Sequence, residues 1–380
     1  MIMIKSFKIR LYPTKQQEVL LWKHIGCCRF IWNYMLDYQE KFYEKEKRFL
    51  FAYDMISLLT PLKNDGEHDW LYEVSNASLQ GVCKDLDAAF RDFFKKKSNH
   101  PKFKSKKRTD PKFPLRTDSI AFYDKKIRVS KVGLVKYKTD FDMPKGRSNN
   151  FKNPRISFDG KKWILSVGLE CENQAIQLTD IGMGIDLGIK ETAVVMFGEE
   201  KFIFHNINKT KKMKDIDNQI KHIQRDISRK YESNKKGNKF IKSNNIIKKE
   251  KQLKLLRRKQ KNIRWNYIHQ MTHSFIKLCP CRIVVEDLNV SGMMKNRHLS
   301  KAIQQQCFYT IIRILEYKCL WNGIELIKAN RFFPSSKTCS GCGNIKKNLM
   351  LKDRKFICPE CGLIIDRDEN AAINLMRYKV

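Results

Sequence analysis

Three acidic residues stand where acids are expensive. Asp186 ends the apolar run Gly182-Met183-Gly184-Ile185, just before Leu187-Gly188. Glu286 ends a second apolar run, Arg282-Ile283-Val284-Val285. A third acid is supplied by Asp366-Arg367-Asp368-Glu369-Asn370-Ala371-Ala372, at the start of a helical pattern. A carboxylate among buried apolar residues is costly unless it is paired or bound to a metal. Taken alone, Asp186 reads as a strand-end acid that caps a loop. Three acids delivered separately by two strands and a helix suit a divalent-metal cage.

A second constellation is made of thiols. Cys339-Ser-Gly-Cys342 and Cys358-Pro-Glu-Cys361 are two CxxC knuckles with fifteen residues between them. That spacing matches a tetrahedral zinc ribbon, and Gly343 and Gly362 relieve the tight turn after each knuckle. A redox CxxC pair needs a thioredoxin-like context, which the chain lacks. Four thiolates close the coordination sphere, so this zinc is expected to be structural. The other eight of the twelve cysteines (Cys27, Cys28, Cys83, Cys171, Cys279, Cys281, Cys307 and Cys319) show no ligand spacing and read as small core residues.

The elements that must position these groups follow in chain order. Residues 4–12 alternate apolar and basic, as a strand with one wet face does. Pro13-Thr14 opens a helix from about Lys15, and a helical region runs to about Lys97, with breaks near Thr60-Pro61 and Asn64–Gly66. Its last helix, Asn76 to Phe94, carries Phe90, Phe93 and Phe94, read as core packing. Lys95 to Lys112 is a basic loop with Phe103 interleaved. Strand patterns from Ser119 to Glu170, with an Asp159-Gly160 hairpin turn, predict a small antiparallel barrel completed by the first strand. After the strands around Asp186 and a third at Lys201–His205, Thr210 to Leu278 reads as a helical hairpin broken at Ser233–Gly237. Its seam is Ile216, Ile220, Ile223, Ile227, Leu253, Leu256 and Ile263. A helix from Ser300 to Trp321 and a strand from Ile324 to Ala329 follow Glu286. The order β-β-β-α-β-α-β, with acids on the first and fourth strands, is that of a ribonuclease-H-like fold.

The charge narrows the partners. The 380 residues hold 76 Lys and Arg against 40 Asp and Glu, a formal net charge of +36. Such an excess is the footprint of a nucleic-acid binder. It is spread along the chain rather than gathered in one amphipathic helix, which argues against a membrane-surface protein. No run approaches the ~20 apolar residues of a spanning helix, and the N-terminus lacks a signal-peptide pattern, so a cytoplasmic protein without a membrane partner is expected. So many like charges repel unless phosphates neutralise them. Lys102, Lys104, Lys106 and Lys107 in the loop, and Arg257 and Arg258 in the hairpin, are candidate nucleic-acid contacts.

Together these stretches resemble the TnpB (OrfB) family of transposon-encoded RNA-guided DNA endonucleases, relatives of the type V CRISPR effectors. The likeness is carried by Phe7–Thr14, Pro101–Lys106, Gly184–Gly188, Val285–Val290, Leu315–Lys318, Pro334–Cys339 and Asp366–Asn374, in the family's order. It implies a RuvC-like nuclease core with an inserted zinc ribbon, an N-terminal wedge barrel and a helical recognition domain. The implied boundaries are 1–12 and 110–178 for the wedge, and 13–109 for the recognition helices and basic linker. They are 179–337 and 366–380 for the nuclease, and 338–365 for the ribbon. The family's catalytic acids carry over onto Asp186, Glu286 and Asp368; Asp366 is not assigned to the cage. Tyr53, Asn76 and Gln80 lie where the family contacts the short motif beside its target. The expected partners are a guide RNA from the transposon end and target double-stranded DNA, bound by a monomer or by a homodimer on the RNA. The expected cofactors are two Mg²⁺ and one structural Zn²⁺. Two Mg²⁺ on three carboxylates would serve in-line phosphodiester cleavage. The rivals are a guided repressor without cleavage, a DNA-joining transposase, and an actin-like ATPase. The ATPase lacks its second phosphate loop here, and a repressor would be marked by loss of an acid.

Overall fold

The computed structural model describes residues 2–147, 150–172, 176–237, 239–350 and 353–379. It divides into two units, Met1–Glu172 and Asn173–Val380.

In the first unit, strand β1 (Ile2–Tyr12) leads into helix α1 (Lys15–Glu46). Thr14 starts this helix with a reciprocal cap: its Oγ1 accepts from the Gln17 N–H, and the Gln17 side chain accepts from the Thr14 N–H. Three shorter helices follow, α2 (Ala52–Ser57), α3 (Leu59–Lys63) and α4 (Asn76–Phe94). The expected break at Thr60-Pro61 falls at Leu58 instead. Pro61 sits in the first turn of α3, where its missing N–H has no helical partner to lose. On α4, Phe90 is buried as expected, but Phe94 is exposed.

The strands are β2 (Lys112–Pro114), β3 (Ile120–Tyr123), β4 (Lys126–Val129), β5 (Gly133–Lys138), β6 (Phe151–Phe158) and β7 (Trp163–Glu172). With β1 they form one antiparallel sheet in the order β2-β6-β7-β1-β5-β4-β3. The Asp159-Gly160 turn joins β6 to β7, with Gly160 at φ +97°. The sheet is open where the sequence predicts a barrel: β2 and β3 stand at its two edges, unpaired with each other among the described residues. The edge strand β2 has three residues and ends in Pro114, which has no N–H to continue a ladder. The inward residues Ile9, Leu11, Val135, Ile156 and Leu165 share one core with Leu21, Ile31 and Met35 of α1.

The second unit is built on β8 (Gly182–Leu187), β9 (Glu191–Phe197) and β10 (Glu200–His205). A helical hairpin follows: α5 (Lys211–Ser233), two short strands β11 (Lys235–Lys236) and β12 (Lys239–Phe240) at the tip, and α6 (Asn244–Lys277). Met213, Ile216 and Ile220 form its seam with Leu253, Leu256 and Ile263. Then come β13 (Arg282–Glu286), α7 (Val290–Met293), α8 (Ser300–Gln306), α9 (Phe308–Asn322) and β14 (Glu325–Ala329). The single helix expected over 300–321 is two, because Cys307 adopts a left-handed φ of 57° between α8 and α9. The small hairpin β15 (Lys355–Ile357) and β16 (Ile364–Asp366) precedes α10 (Arg367–Met376).

The sheet order is β10-β9-β8-β13-β14, with β8, β13 and β14 parallel and β9 antiparallel to its neighbours. This is the expected ribonuclease-H-like arrangement. Alternation along the strands gives the two faces different partners. Met183, Ile185, Ile283 and Val285 pack with Ile268, Met271 and Phe275 of α6 and Ile311 and Leu315 of α9. On the opposite face, Val284 and Ala329 pack with Leu375, and Val194 and Met196 with Ala372, all under α10. Gly184 lets α10 approach: a Cβ there would lie 2.0 Å from the Ala372 carbonyl oxygen.

Candidate catalytic and metal-binding site

The period of two along a strand fixes where the acids point. Asp186 shares a face with Gly184, and Glu286 shares a face with Val284; both faces lie under α10. Val285 is the register partner of Ile185, so the next residues along the two parallel strands are Glu286 and Asp186. Asp368 enters from the first turn of α10. All three side chains are half-buried.

Their electrostatics are those of acids sharing one site. The Asp186 carboxyl is pushed well above its ordinary range, first by burial, then by the charges of Glu286 and Asp368. Burial also raises Glu286; a hydrogen bond from Ser335 and the charge of Arg367 oppose it. Asp368 is raised by burial and by Asp366, against Arg354, Arg367 and Lys190. Such groups resist ionisation until a cation joins them. Asp366 serves the helix instead. Its Oδ1 accepts from the N–H groups of Asp368 and Glu369 at 2.9 and 3.3 Å, capping α10. Glu369 pairs with Lys201.

The four thiols converge more tightly. Cys339, Cys342, Cys358 and Cys361 place their sulfurs within 4.8 Å of one another, with Cys339–Cys361 at 3.6 Å and Cys342–Cys358 at 3.5 Å. These separations are far too long for a disulfide at ~2.05 Å. They are close to the ~3.8 Å between sulfurs bound tetrahedrally at ~2.3 Å from one zinc. The cluster fits structural zinc. Among the described residues it is the one set of three or more potential ligands that converges this closely.

Sequence reasoning missed the groups that join the two sites. Asn370, fully buried on α10, donates to the Thr338 carbonyl at 2.6 Å and accepts from the Ser340 N–H at 2.9 Å. Asn374 donates to the carbonyls of Ser335 and Thr338 at 2.7 and 2.6 Å. Arg377 donates to Ser340 O at 2.5 Å. The first knuckle is therefore strapped to the helix that carries Asp368. Ser335, just upstream, donates its hydroxyl to Glu286. The available signal was the pair of amides one helical turn apart inside an apolar pattern.

The expected nucleic-acid contacts fall into separate groups. In the first unit Asn76 and Gln80 lie one turn apart on α4, with Asn76 accepting from Lys63 at 2.6 Å. Tyr53, on α2 and 78 % exposed, has the Lys84 ammonium of α4 at 6.0 Å from its ring, which brings it to the same surface. The basic loop is not a free linker. Trp32 Nε1 donates to the Lys102 carbonyl at 3.0 Å, and Asn33 makes two hydrogen bonds with the Lys104 backbone. Lys102, Lys106 and Lys107 are exposed, but the Lys104 ammonium lies 3.2 Å from the Trp32 ring centre. Burial pulls its pKa down to about 8. In the second unit Arg257 is exposed on α6 and Arg258 is half-buried.

Three family models match the chain. The OrfB/IS605 model, described as "Probable transposase", covers residues 170–297. The OrfB/IS605 helix-turn-helix domain covers 1–48, where the structure has β1 and the single helix α1. The "Cas12f1-like, TNB domain" covers 308–375. A Streptomyces pristinaespiralis protein, provisionally named an RNA-guided DNA endonuclease, is 29 % identical over 98 % of this chain and 88 % of its own length. InsQ of Escherichia coli (strain K12), named in the same way, is 29 % identical over 98 % and 92 %. The structure of a Cas12f1–sgRNA–target DNA complex matches with a TM-score of 0.39 at 16 % identity, covering 100 % of both chains. On the family models and these near full-length relatives, the chain belongs to the TnpB (OrfB) family.

Proposed function

We propose that the protein is an RNA-guided DNA endonuclease that hydrolyses phosphodiester bonds at Asp186, Glu286 and Asp368. The observation that carries this reading is the convergence of the three acids under α10, each raised by burial, with Asp186 and Glu286 raised further by other acids of the group. The relatives named above carry the same activity in their names, over nearly the whole chain.

The donor set fits Mg²⁺, and three carboxylates would suffice for a pair of ions. Hard carboxylate oxygens suit Mg²⁺, which keeps several waters and needs few protein ligands. Asp186, Glu286 and Asp368 would hold the ions. When bound, the pair of ions supplies an activated water and stabilises the leaving oxygen. Ser335 holds Glu286 in one orientation, and the Asp366 cap fixes the first turn that presents Asp368. Arg367, Arg354 and Lys190, which act electrostatically on Asp368, suit the phosphates of a strand lying across the acids. The four cysteines would hold one structural Zn²⁺.

In the same reading, 1–12 and 110–178 are the wedge, 13–109 the recognition helices with their basic linker, 179–337 and 366–380 the nuclease, and 338–365 the ribbon. The guide RNA, derived from the transposon end, pairs with the target, and the protein reads only a short adjacent motif. Tyr53, Asn76 and Gln80 serve that motif; Lys102, Lys106, Lys107, Arg257 and Arg258 serve phosphates. In this reading the protein acts in the cytoplasm, where thiols that are to bind zinc stay reduced.

The test is substitution of each acid. Asp186→Ala, Glu286→Ala and Asp368→Ala should each abolish cleavage of guide-matched DNA in Mg²⁺ while leaving guide and target binding within about threefold. An Asp368→Ala protein that cuts at the wild-type rate would refute the assignment.

A further inference from the structure

We propose that Phe332 is a stacking platform for one base of the single-stranded DNA presented to the three acids. The proposal rests on the nuclease reading above and adds to it a residue that holds the substrate strand.

The ring is 88 % exposed, an apolar group held out in solvent beside the site. A single exposed aromatic on a surface needs no explanation by itself. The segment that displays this one, however, is fixed at both ends. Ala329 is the register partner of Glu286 at the end of β14. Asn330 accepts from the Phe332 N–H at 2.9 Å through its side chain, and from the Phe333 N–H at 2.9 Å through its carbonyl. The Asn330 N–H donates to the Tyr378 hydroxyl at 3.2 Å, and the next ring, Phe333, packs edge-on against Tyr378 at 4.9 Å. Arg331 donates to Asp287, the neighbour of Glu286, at 2.6 Å. Ser335 closes the segment by its bond to Glu286. Phe333 is thus turned inward, Phe332 is turned outward, and the backbone between them has little freedom.

The position is close to the chemistry. Three Cα steps of 3.8 Å put Phe332 within about 11 Å of Ser335, which touches Glu286. Its ring borders a cleft lined by Asp287, Lys328, Ala329, Asn330 and Arg331. The cleft carries Lys328 and Arg331 beside Asp287, the partner of Arg331, and Arg367, Arg354 and Lys190 act on Asp368. An aromatic face among cations is the means by which proteins hold single-stranded nucleic acid without reading its sequence, since every base offers a π-face. A strand engaged here would have one base on Phe332 and its backbone among the cations beside the acids.

The test uses the full chain loaded with its guide RNA and cutting guide-matched DNA at saturating concentration. Phe332→Ala should slow single-turnover cleavage roughly 5- to 150-fold, the range expected for loss of one stacked base. Binding of the target should stay unchanged, because guide pairing supplies it. Phe332→Trp should restore the rate and Phe332→Leu should not, since Leu is apolar but offers no π-face. The thermal midpoint should not move, as the side chain packs against little. An abasic site stepped along the DNA should find one position at which the wild type falls to the Ala rate while the Ala variant is indifferent. Full activity in Phe332→Ala or Phe332→Leu would overturn the proposal. So would a defect confined to loading of the guide RNA, which would assign the ring to RNA. Failure of the wild-type complex to cut at all would defeat the nuclease reading as well, and is distinguished by needing no variant.

Discussion

At the residue scale the site is a balance of unfavourable charges. The three acids bind protons more readily folded than unfolded, because burial raises all three and neighbouring acids raise Asp186 and Glu286. Stability therefore falls as pH rises from the ordinary carboxylate pKa near ~4 through the raised values. Asp186→Asn removes part of this cost. Without Mg²⁺ it should raise the thermal midpoint at pH 8 and leave it nearly unchanged at pH 4. Adding Mg²⁺ should stabilise the wild type more than the variant, increasingly as pH rises, which scanning fluorimetry across pH measures. A midpoint gain that is largest at pH 4 would contradict the assigned direction. Asp186 and Glu286 were legible in the sequence because each ends an apolar run, whereas Asp368 was picked out from Asp366 and Glu369 only by the family resemblance. Ser335, Asn370 and Asn374 were not legible. Their partners are a carboxylate and backbone carbonyls that only the tertiary fold brings near; the spacing of Asn370 and Asn374 marks two amides on one helix face but not what they bind.

At the element scale, what matters is how α10 is held. It lies directly on β8, with Gly184 at the crossing. Gly184→Ala forces Cβ into the Ala372 carbonyl, which is backbone and has no rotamer to move aside. The cost should be on the order of 3 kcal/mol, with cleavage reduced at least tenfold because Asp368 moves with the helix. Denaturant melts and single-turnover rates check both. From the other end, the ribbon holds α10 through Asn370 and Asn374. Asn374→Ala should cost about 1–3 kcal/mol by orphaning the buried Ser335 carbonyl, Thr338 keeping its bond from Asn370. Zinc binding to such a module is itself folding free energy, on the order of 10 kcal/mol or more. Cys358→Ser should therefore lose zinc and much of the cleavage rate together; metal analysis that finds no zinc in the purified wild type would remove that link. The long elements were legible: α1, α4, the helical hairpin and the order of the second sheet follow from periodicity and caps. The open first sheet was not, because closure depends on whether β2 and β3 meet, and the Pro114 that stops β2 belongs to a strand too short to show a pattern.

At the scale of the whole molecule the net charge of +36 sets the partners. Cations are spread over a loop pinned to α1 in one unit and over the α5–α6 hairpin in the other. Dispersed cations suit backbone contacts to a large folded RNA better than base reading from one recognition element. Arg257→Ala should weaken RNA binding alike for all sequences and lower the slope of log affinity against log salt by about one. The central claim is that the RNA, not the protein, chooses the DNA. The most direct measurement compares cleavage of a duplex matched to the copurified RNA with cleavage of an unmatched duplex, before and after ribonuclease treatment, at moderate salt in Mg²⁺. The account predicts cutting of the matched duplex alone, abolished by ribonuclease and restored by adding the RNA back. Sequence-specific binding and cleavage by RNA-free protein, undiminished by ribonuclease, would contradict it.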